Sequence, residues 1–309
     1  MGSSLETAQR ATAQLGEGPT WDHASGRLVW VDILGCEVHH FDPGRGADMV
    51  VRTSQHVGAA KPCADGGLVL NLRDGVALLG PGADHGADLA DPGPGPAPWL
   101  AHWPREGCRG NDAAVDSAGR LWAGTMRYDE APGGGRLCRV DETGEVITVL
   151  DDVTISNGVG WSPDGRRMYY VDTPTRRIDV FDVSAADPGL VSGRRPFVEL
   201  GPDVAGAPDG LTVDATGCVW VALWDGAAVH RYTPDGRLDR VVEVPTSRPT
   251  ACTFGGRELR DLYITTARRG LDEATLSGEP LAGSILVLPD AGTGLPATPF
   301  GTIASQVVR

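Results

Sequence analysis

Lysine is almost absent from this chain of 309 residues: Lys61 is the single lysine, and the other basic residues are arginines. A phosphate-binding loop of the GxxxxGK type needs a lysine directly after its glycine-rich turn, and Lys61 does not stand in that context. Any Schiff-base mechanism would have to use Lys61 itself. The shortage of lysine therefore excludes this class of nucleotide site and leaves one candidate for amine chemistry.

Cysteine pairs are also lacking, because none of the six cysteines forms a CxxC motif. We expect free thiols in a reducing compartment. The first residues, "MGSSLETAQRATAQL", contain no apolar core of a secretory signal, and no segment approaches the roughly 20 apolar residues that span a bilayer. The sequence predicts a cytoplasmic protein that has no membrane partner.

Positive charge is scarce, with 27 basic residues against 41 acidic ones and a net charge of −14. Nucleic-acid binding would require a clustered basic face, and the sequence has none. The arginine pair at 268–269 is expected on the solvated surface. We therefore expect no nucleic-acid partner, and the acidic balance suits solubility or a cation ligand more than an anionic partner.

The common nucleophile motifs are missing as well. The sequence has no GxSxG elbow, and its seven histidines show neither HExxH nor another ligand spacing. Trp103 and Trp224 fall outside the positions that the other tryptophans share, so they are candidates for a substrate wall. Chemistry, if present, must use side chains other than a serine or histidine triad.

The chain contains six related stretches, each a turn rich in Asp and Gly followed by a short apolar strand. Equivalent apolar residues recur every 40 to 53 residues, which is the size of a four-stranded propeller blade. The stretches are "DHASGRLVWVD" (22–32), "ADGGLVLNL" (64–72), "DSAGRLWAGT" (116–125), "SPDGRRMYYVDT" (162–173), "DATGCVWVAL" (214–223) and "GRELRDLYITT" (256–266).

A second strand with alternating apolar residues follows each stretch, as in "IDVFDV" at 178 and "ILVLPD" at 285. Alternation between turns is typical of antiparallel strands with one buried face. The sequence predicts an all-β fold, a six-bladed β-propeller forming one domain over residues 1–309; the alternative is a pair of β-sandwiches. Within the leader, residues 1–14, the segment starting at residue 6 is expected to close the ring as an outer strand beside "FGTIAS" (300–305).

Four polar residues stand at one phase of the repeat, about five residues before the turn. This phase marks the start of the innermost strand of each blade, so side chains from different blades should converge on the central channel. A single Asn or Asp before a strand is usually a turn residue or cap, but four at one phase favour a shared site. They are Glu17, Asn111, Asn157 and Asp209.

Two carboxylates and two amide carbonyls form an all-oxygen donor set. Such a set suits one hard divalent cation, Ca²⁺ in the first place, although Zn²⁺, Mn²⁺ and Mg²⁺ also accept oxygen ligands. A site for a soft metal would require Cys or His, and neither residue type occupies this phase. The sequence therefore predicts a metal site in the central channel.

Five stretches resemble the gluconolactonase–regucalcin (senescence marker protein) family over residues 15 to 288. They are "LGEGPTWD", "RGNDAAVDSAGRLWAGTM", "SNGVGWSPDGRRMYYVDT", "PDGLTVDATGCVWVAL" and "RPTACTFGGRELRDLYITTA". The resemblance implies a six-bladed propeller with one divalent metal in its channel and, for many members, hydrolysis of sugar lactones.

The resemblance also assigns roles to residues. Glu17, Asn157 and Asp209 match the metal ligands of the family. Asn111 matches a residue at the metal or the substrate, and Arg109 matches a substrate-binding arginine. An acidic substrate contact after "GTM" falls at Asp129 or Glu130, and Ala113 replaces the glycine that commonly follows "ND" in the family.

The hypothesis at this stage is metal-assisted hydrolysis of a sugar (aldono-) lactone, with the metal stabilising the oxyanion and Asp209 as general base on water. Two other functions use the same residues. One is an organophosphate-type esterase in which Asp209 attacks phosphorus, and the other is a non-catalytic metal-binding scaffold. A metal-free relative resembling strictosidine synthase fits less well, because the four candidate ligands are present. We expect a monomer with a small-molecule substrate.

Overall fold

The computed structural model describes residues 4–81 and 99–301. Within them the chain forms 24 β-strands and one short α-helix. In chain order they are β1 (Glu6–Gln9), β2 (Gly16–Asp22), β3 (Arg27–Asp32), β4 (Glu37–Asp42), β5 (Ala47–Arg52), β6 (Val57–Pro62), β7 (Leu68–Leu72), β8 (Gly75–Leu79), β9 (Trp99–His102), β10 (Cys108–Val115), β11 (Leu121–Arg127), β12 (Gly135–Val140), β13 (Val146–Val153), β14 (Ser156–Trp161), β15 (Arg167–Asp172), β16 (Arg177–Val183), β17 (Val191–Glu199), β18 (Ala207–Val213), β19 (Val219–Trp224), β20 (Ala228–Tyr232), β21 (Leu238–Glu243), β22 (Pro249–Gly255), β23 (Asp261–Thr266), α1 (Glu273–Gly278) and β24 (Ile285–Leu288).

The strands form six antiparallel sheets of four strands each. Five sheets use consecutive strands, β2–β5, β6–β9, β10–β13, β14–β17 and β18–β21, and the sixth has the order β22, β23, β24, β1. The first strands of neighbouring sheets contact one another in a closed ring, since β2, β6, β10, β14, β18 and β22 each touch the next and β22 touches β2. The predicted six-bladed β-propeller is confirmed.

Buried aspartates shape the turns between the first and second strands. Asp116 accepts hydrogen bonds from the backbone N–H of Ala118 (2.9 Å) and Arg120 (3.1 Å), and from the indole Nε1–H of Trp122 (3.0 Å). Gly119 has φ +78° in the same turn, a conformation that glycine adopts without strain. The Asp-Gly pattern in the sequence therefore specifies a tight turn, and Asp116 connects this turn to the core through its hydrogen bond from Trp122.

The core lies between adjacent sheets and consists of apolar side chains from the middle strands. Trp122 and Trp220 occupy equivalent positions on β11 and β19, Trp30 lies one position further along β3, and all three are fully buried. Each indole removes a large apolar surface from water, and Trp220 also packs edge-to-face with Phe254 of the next sheet at 5.7 Å. These three tryptophans thus pack in core clusters that join neighbouring blades.

The sixth sheet joins residues from both parts of the chain, because β1 pairs with β24 through the partners Glu6–Val287 and Thr7–Leu286. The strand beside β1 is therefore β24 and not the expected "FGTIAS". Phe300 instead forms a parallel bridge with Cys63, and its N–H donates to the carbonyl of Pro62 at 2.8 Å. Residues 302–305 of that segment lie outside the described residues. The difference has a simple reason: Ile285–Leu288 is the third strand of its blade, so an outer strand must lie beside it.

No helix in the described part of the chain is long and apolar enough to cross a membrane.

Candidate functional site

Every first strand carries a register shift at the same level of the channel. In β2 the shift falls between Glu17 and Thr20, and in β10 it falls between Gly110 and Ala113. In β14 and β18 it falls between Ser156 and Val159 and between Pro208 and Leu211. Such bulges change the direction in which a side chain points. The four predicted polar residues all lie at these bulges.

A pocket of about 290 Å³, called here the channel pocket, opens at this level of the ring. Its volume is near the lower end of the range for small-molecule sites, about 300 Å³. Its lining residues are Leu15, Glu17, Arg109, Asn111, Met126, Glu130, Ile155, Asn157, Thr173, Asp209, Trp224, Arg248, Arg269 and Gly270.

Glu17 and Asp209 are buried in this pocket and have no basic side chain within ion-pair distance in the described part of the chain. Burial and the negative charge of Asp112 raise the pKa of Glu17 to about 8. Burial and the charge of Glu17 raise the pKa of Asp209 well above its usual range. Arg109 and Lys61 offset part of the negative charge of Glu17 without forming an ion pair with it, so a divalent cation would stabilise the two buried carboxylates.

Asn157 supplies a carbonyl oxygen to the same set. Its Nδ2 donates to Thr173 Oγ1 at 3.0 Å, which fixes the orientation of the amide. Its Oδ1 is buried and has no hydrogen-bond partner among the described residues. A buried carbonyl oxygen without a partner destabilises the fold unless a metal ion or a hydrogen-bond donor contacts it. This oxygen and the carboxylates of Glu17 and Asp209 fit a hard cation.

Residues 4–81 and 99–301 contain no group of three or more His, Cys, Asp or Glu side chains close enough to hold a metal ion. The candidate set has two carboxylates and depends on amide oxygens for its completion. Asn157 has a free oxygen, as described above. The predicted metal site therefore stays a prediction, resting on a mixed donor set.

Asn111 is held more tightly than Asn157. Its Oδ1 accepts from Nη1 of Arg109 at 2.7 Å, and its Nδ2 donates to the carbonyl of Ser156 at 2.9 Å. From the neighbouring sheet, Asn71 Nδ2 donates to the backbone carbonyl of Asn111 at 2.9 Å. Gly58 permits this packing, because a Cβ there would overlap the backbone N and O of Asn111. Asn111 thus lies at the site with its oxygen already engaged by Arg109.

Arg109 is buried and faces the pocket from β10. Its Nη1 also donates to the carbonyl of Gly110 at 2.9 Å. Burial and the positive charge of Arg269 lower the pKa of Arg109 to about 10. Within the described residues, no carboxylate lies within 4 Å of this guanidinium group. It therefore presents a charged donor with spare N–H groups to the channel pocket.

The structure separates the two candidates for the acidic substrate contact. Asp129 is exposed and forms an ion pair with Arg127 at 2.7 Å, and it does not line the channel pocket. The hydrogen bond from Arg127 lowers the pKa of Asp129 to about 2. Glu130 does line the pocket, where it forms an ion pair with Arg269 at 3.0 Å. Geometry therefore favours Glu130 over Asp129.

Two arginines at the pocket were not identified from sequence as site residues. Arg269 belongs to the pair expected on the solvated surface; its side chain is 37% exposed, and it also lines the channel pocket. Arg248 stacks on Trp224, with its Cζ 4.8 Å from the ring centroid. Trp224 is a pocket wall as expected, whereas Trp103 packs against a core cluster between the second and third sheets.

A larger cavity of about 430 Å³ lies on the other side of the bulges. It is lined by residues that follow the site residues along the first strands, such as Gly18 and Asp112, and by the segment 295–298. Lys61 is buried there and its Nζ donates to the carbonyl of Gly18 at 3.1 Å and to Thr20 Oγ1 at 2.8 Å. These bonds connect Lys61 to the backbone next to Glu17.

Comparison with known proteins gives a consistent result. The family model for the "SMP-30/Gluconolactonase/LRE-like region" matches residues 15–268. A pentonolactonase of Haloferax volcanii is 37% identical over 290 residues, which cover 92% of this chain and 94% of the relative. A 6-deoxy-6-sulfogluconolactonase of Pseudomonas putida is 34% identical over 285 residues, with coverages of 92% and 94%. The crystal structure of the calcium-binding protein regucalcin from Agrobacterium tumefaciens has a TM-score of 0.86 and 29% identity, covering 97% of this chain and 98% of its own.

Proposed function

Because the chain belongs to the SMP-30/gluconolactonase/LRE-like family, as its motifs predict, we propose that it opens sugar lactones with the help of one divalent metal ion and with Asp209 as general base. The enzyme class, a lactone hydrolase, has the broadest support, since two of the relatives described above are named lactonases. The observation that carries the proposal is the channel pocket itself, where two buried carboxylates and an unpartnered amide oxygen converge.

Glu17, Asn157 and Asp209 would hold the ion, with Asn111 beside them. Ca²⁺ fits this all-oxygen set, and a relative in the same fold is named as a calcium-binding protein. When bound, a divalent ion supplies a Lewis acid that polarises the lactone carbonyl. The ion also balances the two carboxylates, which burial otherwise disfavours in their charged form.

Asp209 moves the proton in this scheme. One carboxylate oxygen accepts a proton from water as the water oxygen forms a bond to the carbonyl carbon. The bond from that carbon to the ring oxygen then breaks, and the proton returns from Asp209 to the ring oxygen, which leaves as a hydroxyl group. The product is the open hydroxy acid. Arg109 and Asn111 orient the substrate through its hydroxyl or carboxylate oxygens.

A panel of aldonolactones, assayed with a pH indicator, tests the proposal. Metal-stripped protein should be inactive, and adding back Ca²⁺, Mg²⁺, Mn²⁺ or Zn²⁺ singly should restore turnover and identify the ion. Replacing the base by its amide, Asp209→Asn, should lower kcat by about 10²- to 10⁴-fold. Asp235→Asn, in an exposed turn, is the matched control and should keep the parent rate.

Full activity of Asp209→Asn would remove the assignment of the base. Full activity without metal would remove the role of the ion. Tight metal binding without turnover of any lactone would instead favour a non-catalytic scaffold.

A further inference from the structure

Three arginines line the channel pocket, so the pocket that contains the candidate metal ligands also contains several positive charges. They are Arg109, Arg248 and Arg269. Apart from Glu17 and Asp209, the pocket lining contains one carboxylate, that of Glu130. The polar sugar ring of a neutral lactone does not require three guanidinium groups, so their presence points to a property of the substrate.

The two outer arginines each have one carboxylate partner. Arg248 Nε donates to Asp225 Oδ1 at 2.6 Å, and Arg269 Nη2 donates to Glu130 Oε1 at 3.0 Å. A guanidinium group has five N–H donors, so each of these arginines keeps donors for a ligand. The Arg248 guanidinium group stacks on the Trp224 ring, which limits the positions that the arginine side chain can adopt.

The inner arginine has no such partner. Arg109 donates from a single nitrogen, Nη1, to Gly110 and Asn111, and its other nitrogens have no acceptor within the described residues. A buried cation without a counter-charge is costly, and the neighbouring charge of Arg269 adds to that cost. In the metal-free protein, Glu17 offsets part of this charge. A divalent ion would neutralise Glu17 and Asp209, and Glu17 would then no longer offset the charge of Arg109.

With the metal set neutral, three guanidinium groups face the two carboxylates of Glu130 and Asp225. The pocket as a whole then retains one net positive charge, located at the inner arginine, Arg109. Arginine is well suited to bind the planar or tetrahedral oxygens of a carboxylate, sulfonate or phosphate through two N–H groups. A pocket of about 290 Å³ has room for one sugar unit that carries such a group.

We infer that the preferred substrate of this site is an anionic sugar lactone, whose carboxylate, sulfonate or phosphate group is bound by Arg109 and Arg269 with Arg248 beside them. This inference rests on the proposed lactonase function and narrows it to one chemical class. Glu130 sets the strength of the preference, because it competes with the substrate for Arg269.

The test compares kcat/KM for glucono-1,5-lactone, which is neutral, with kcat/KM for aldonolactones that carry a carboxylate, a sulfonate or a phosphate at C6. The three anionic probes identify which oxyanion fits. The parent protein should prefer at least one anionic probe by tenfold or more, and raising the NaCl concentration should reduce that preference by screening. The ratio of the two constants is the readout, because a general loss of folding or metal would lower both.

Two variants should move the ratio in opposite directions. Arg269→Gln removes a charged donor and should lower the anionic-to-neutral ratio about tenfold. Glu130→Gln removes the competing carboxylate and should raise the ratio severalfold. A merely structural role for the Arg269–Glu130 pair would give the same direction for both. Arg237→Gln changes the net charge equally at an exposed position and should leave the ratio at the parent value.

Equal or better turnover of the neutral lactone would overturn the inference and leave the proposed lactonase function intact. An equal change in ratio for Arg269→Gln and Arg237→Gln would also overturn it, because the effect would then be that of overall charge. Failure to hydrolyse any of the lactones with any divalent ion would overturn the inference and the proposed function together.

Discussion

Glu17 and Asp209 are charged groups that the fold places where charge is disfavoured. Burial raises the pKa of both, and that of Glu17 rises from 4.5 to about 8. An acid whose pKa is higher in the folded state binds its proton more tightly there than in the unfolded chain. The metal-free fold is therefore favoured when these groups are protonated and is weakened when they ionise.

We expect the contribution of Glu17 to the stability of the metal-stripped protein to be lost as the pH rises from about 4.5 to about 8. Urea unfolding at several pH values measures this trend. Glu17→Gln should flatten the slope, whereas Glu142→Gln, in an exposed turn, should leave it unchanged. A saturating divalent ion should counteract the loss, because ionised carboxylates bind it more strongly. Identical slopes for the parent and Glu17→Gln would contradict the prediction.

At the residue scale, the sequence predicted the inner polar residues and Glu130, but not the two outer arginines. Glu17, Asn157 and Asp209 could be identified from the sequence because they share one phase of a repeat. Arg269 carries no such signal: beside Arg268 it resembles a solvated pair, and its partner Glu130 is 139 residues away in the chain. Only the closed ring brings these two side chains together, so no local pattern reveals the contact.

At the scale of elements, the turn aspartates determine how the first two strands of a blade are joined. Asp214 in the fifth sheet is buried and accepts from Trp220 Nε1 at 2.9 Å, from Arg231 Nη2 at 2.7 Å and from the N–H of Cys218 at 3.0 Å. Asp164, in the corresponding turn of the fourth sheet, is exposed and accepts from Ser162 Oγ at 2.6 Å. Ser162 takes the position of Asp214 in this longer turn, and Asp164 lies two residues further on, in solvent.

Asp214→Ala should destabilise the fold by about 3 kcal/mol, because it leaves the buried indole N–H of Trp220 without its acceptor and Arg231 with Asp239 as its remaining carboxylate partner. Asp164→Ala should change stability by less than about 1 kcal/mol, as expected for an exposed turn. The difference between the midpoints of urea unfolding measures the contrast. Similar values for the two variants would show that the buried network contributes little.

The strands and their number could be predicted because each blade repeats a turn and an apolar strand. The bulges could not. A register shift between Glu17 and Thr20, or between Pro208 and Leu211, depends on the packing of neighbouring inner strands and has no fixed sequence signal. The sequence predicted which residues would meet in the channel, and the bulges show how the backbone directs them there.

For the whole molecule, closure of the ring depends on one short strand. β1 covers the edge of β24, and Leu5 and Ala8 pack against the core cluster of the last blade. Deleting residues 1–10 should lower the melting temperature and raise the tendency to aggregate, because the edge of β24 becomes free to pair with another chain. Differential scanning calorimetry and light scattering measure the two effects. A chain lacking residues 1–3 is the control, and equal behaviour of the two truncations would contradict the prediction.

The pairing of β1 with β24 also has a consequence for synthesis on the ribosome. β1 leaves the ribosome early, but its partner begins at Ile285, so β1 must wait while more than 270 intervening residues are translated. At about 5–20 residues per second, this delay is roughly a quarter of a minute to a minute. During that time the nascent chain holds a strand without a partner, and chaperones that shield exposed strands would act on it in this interval.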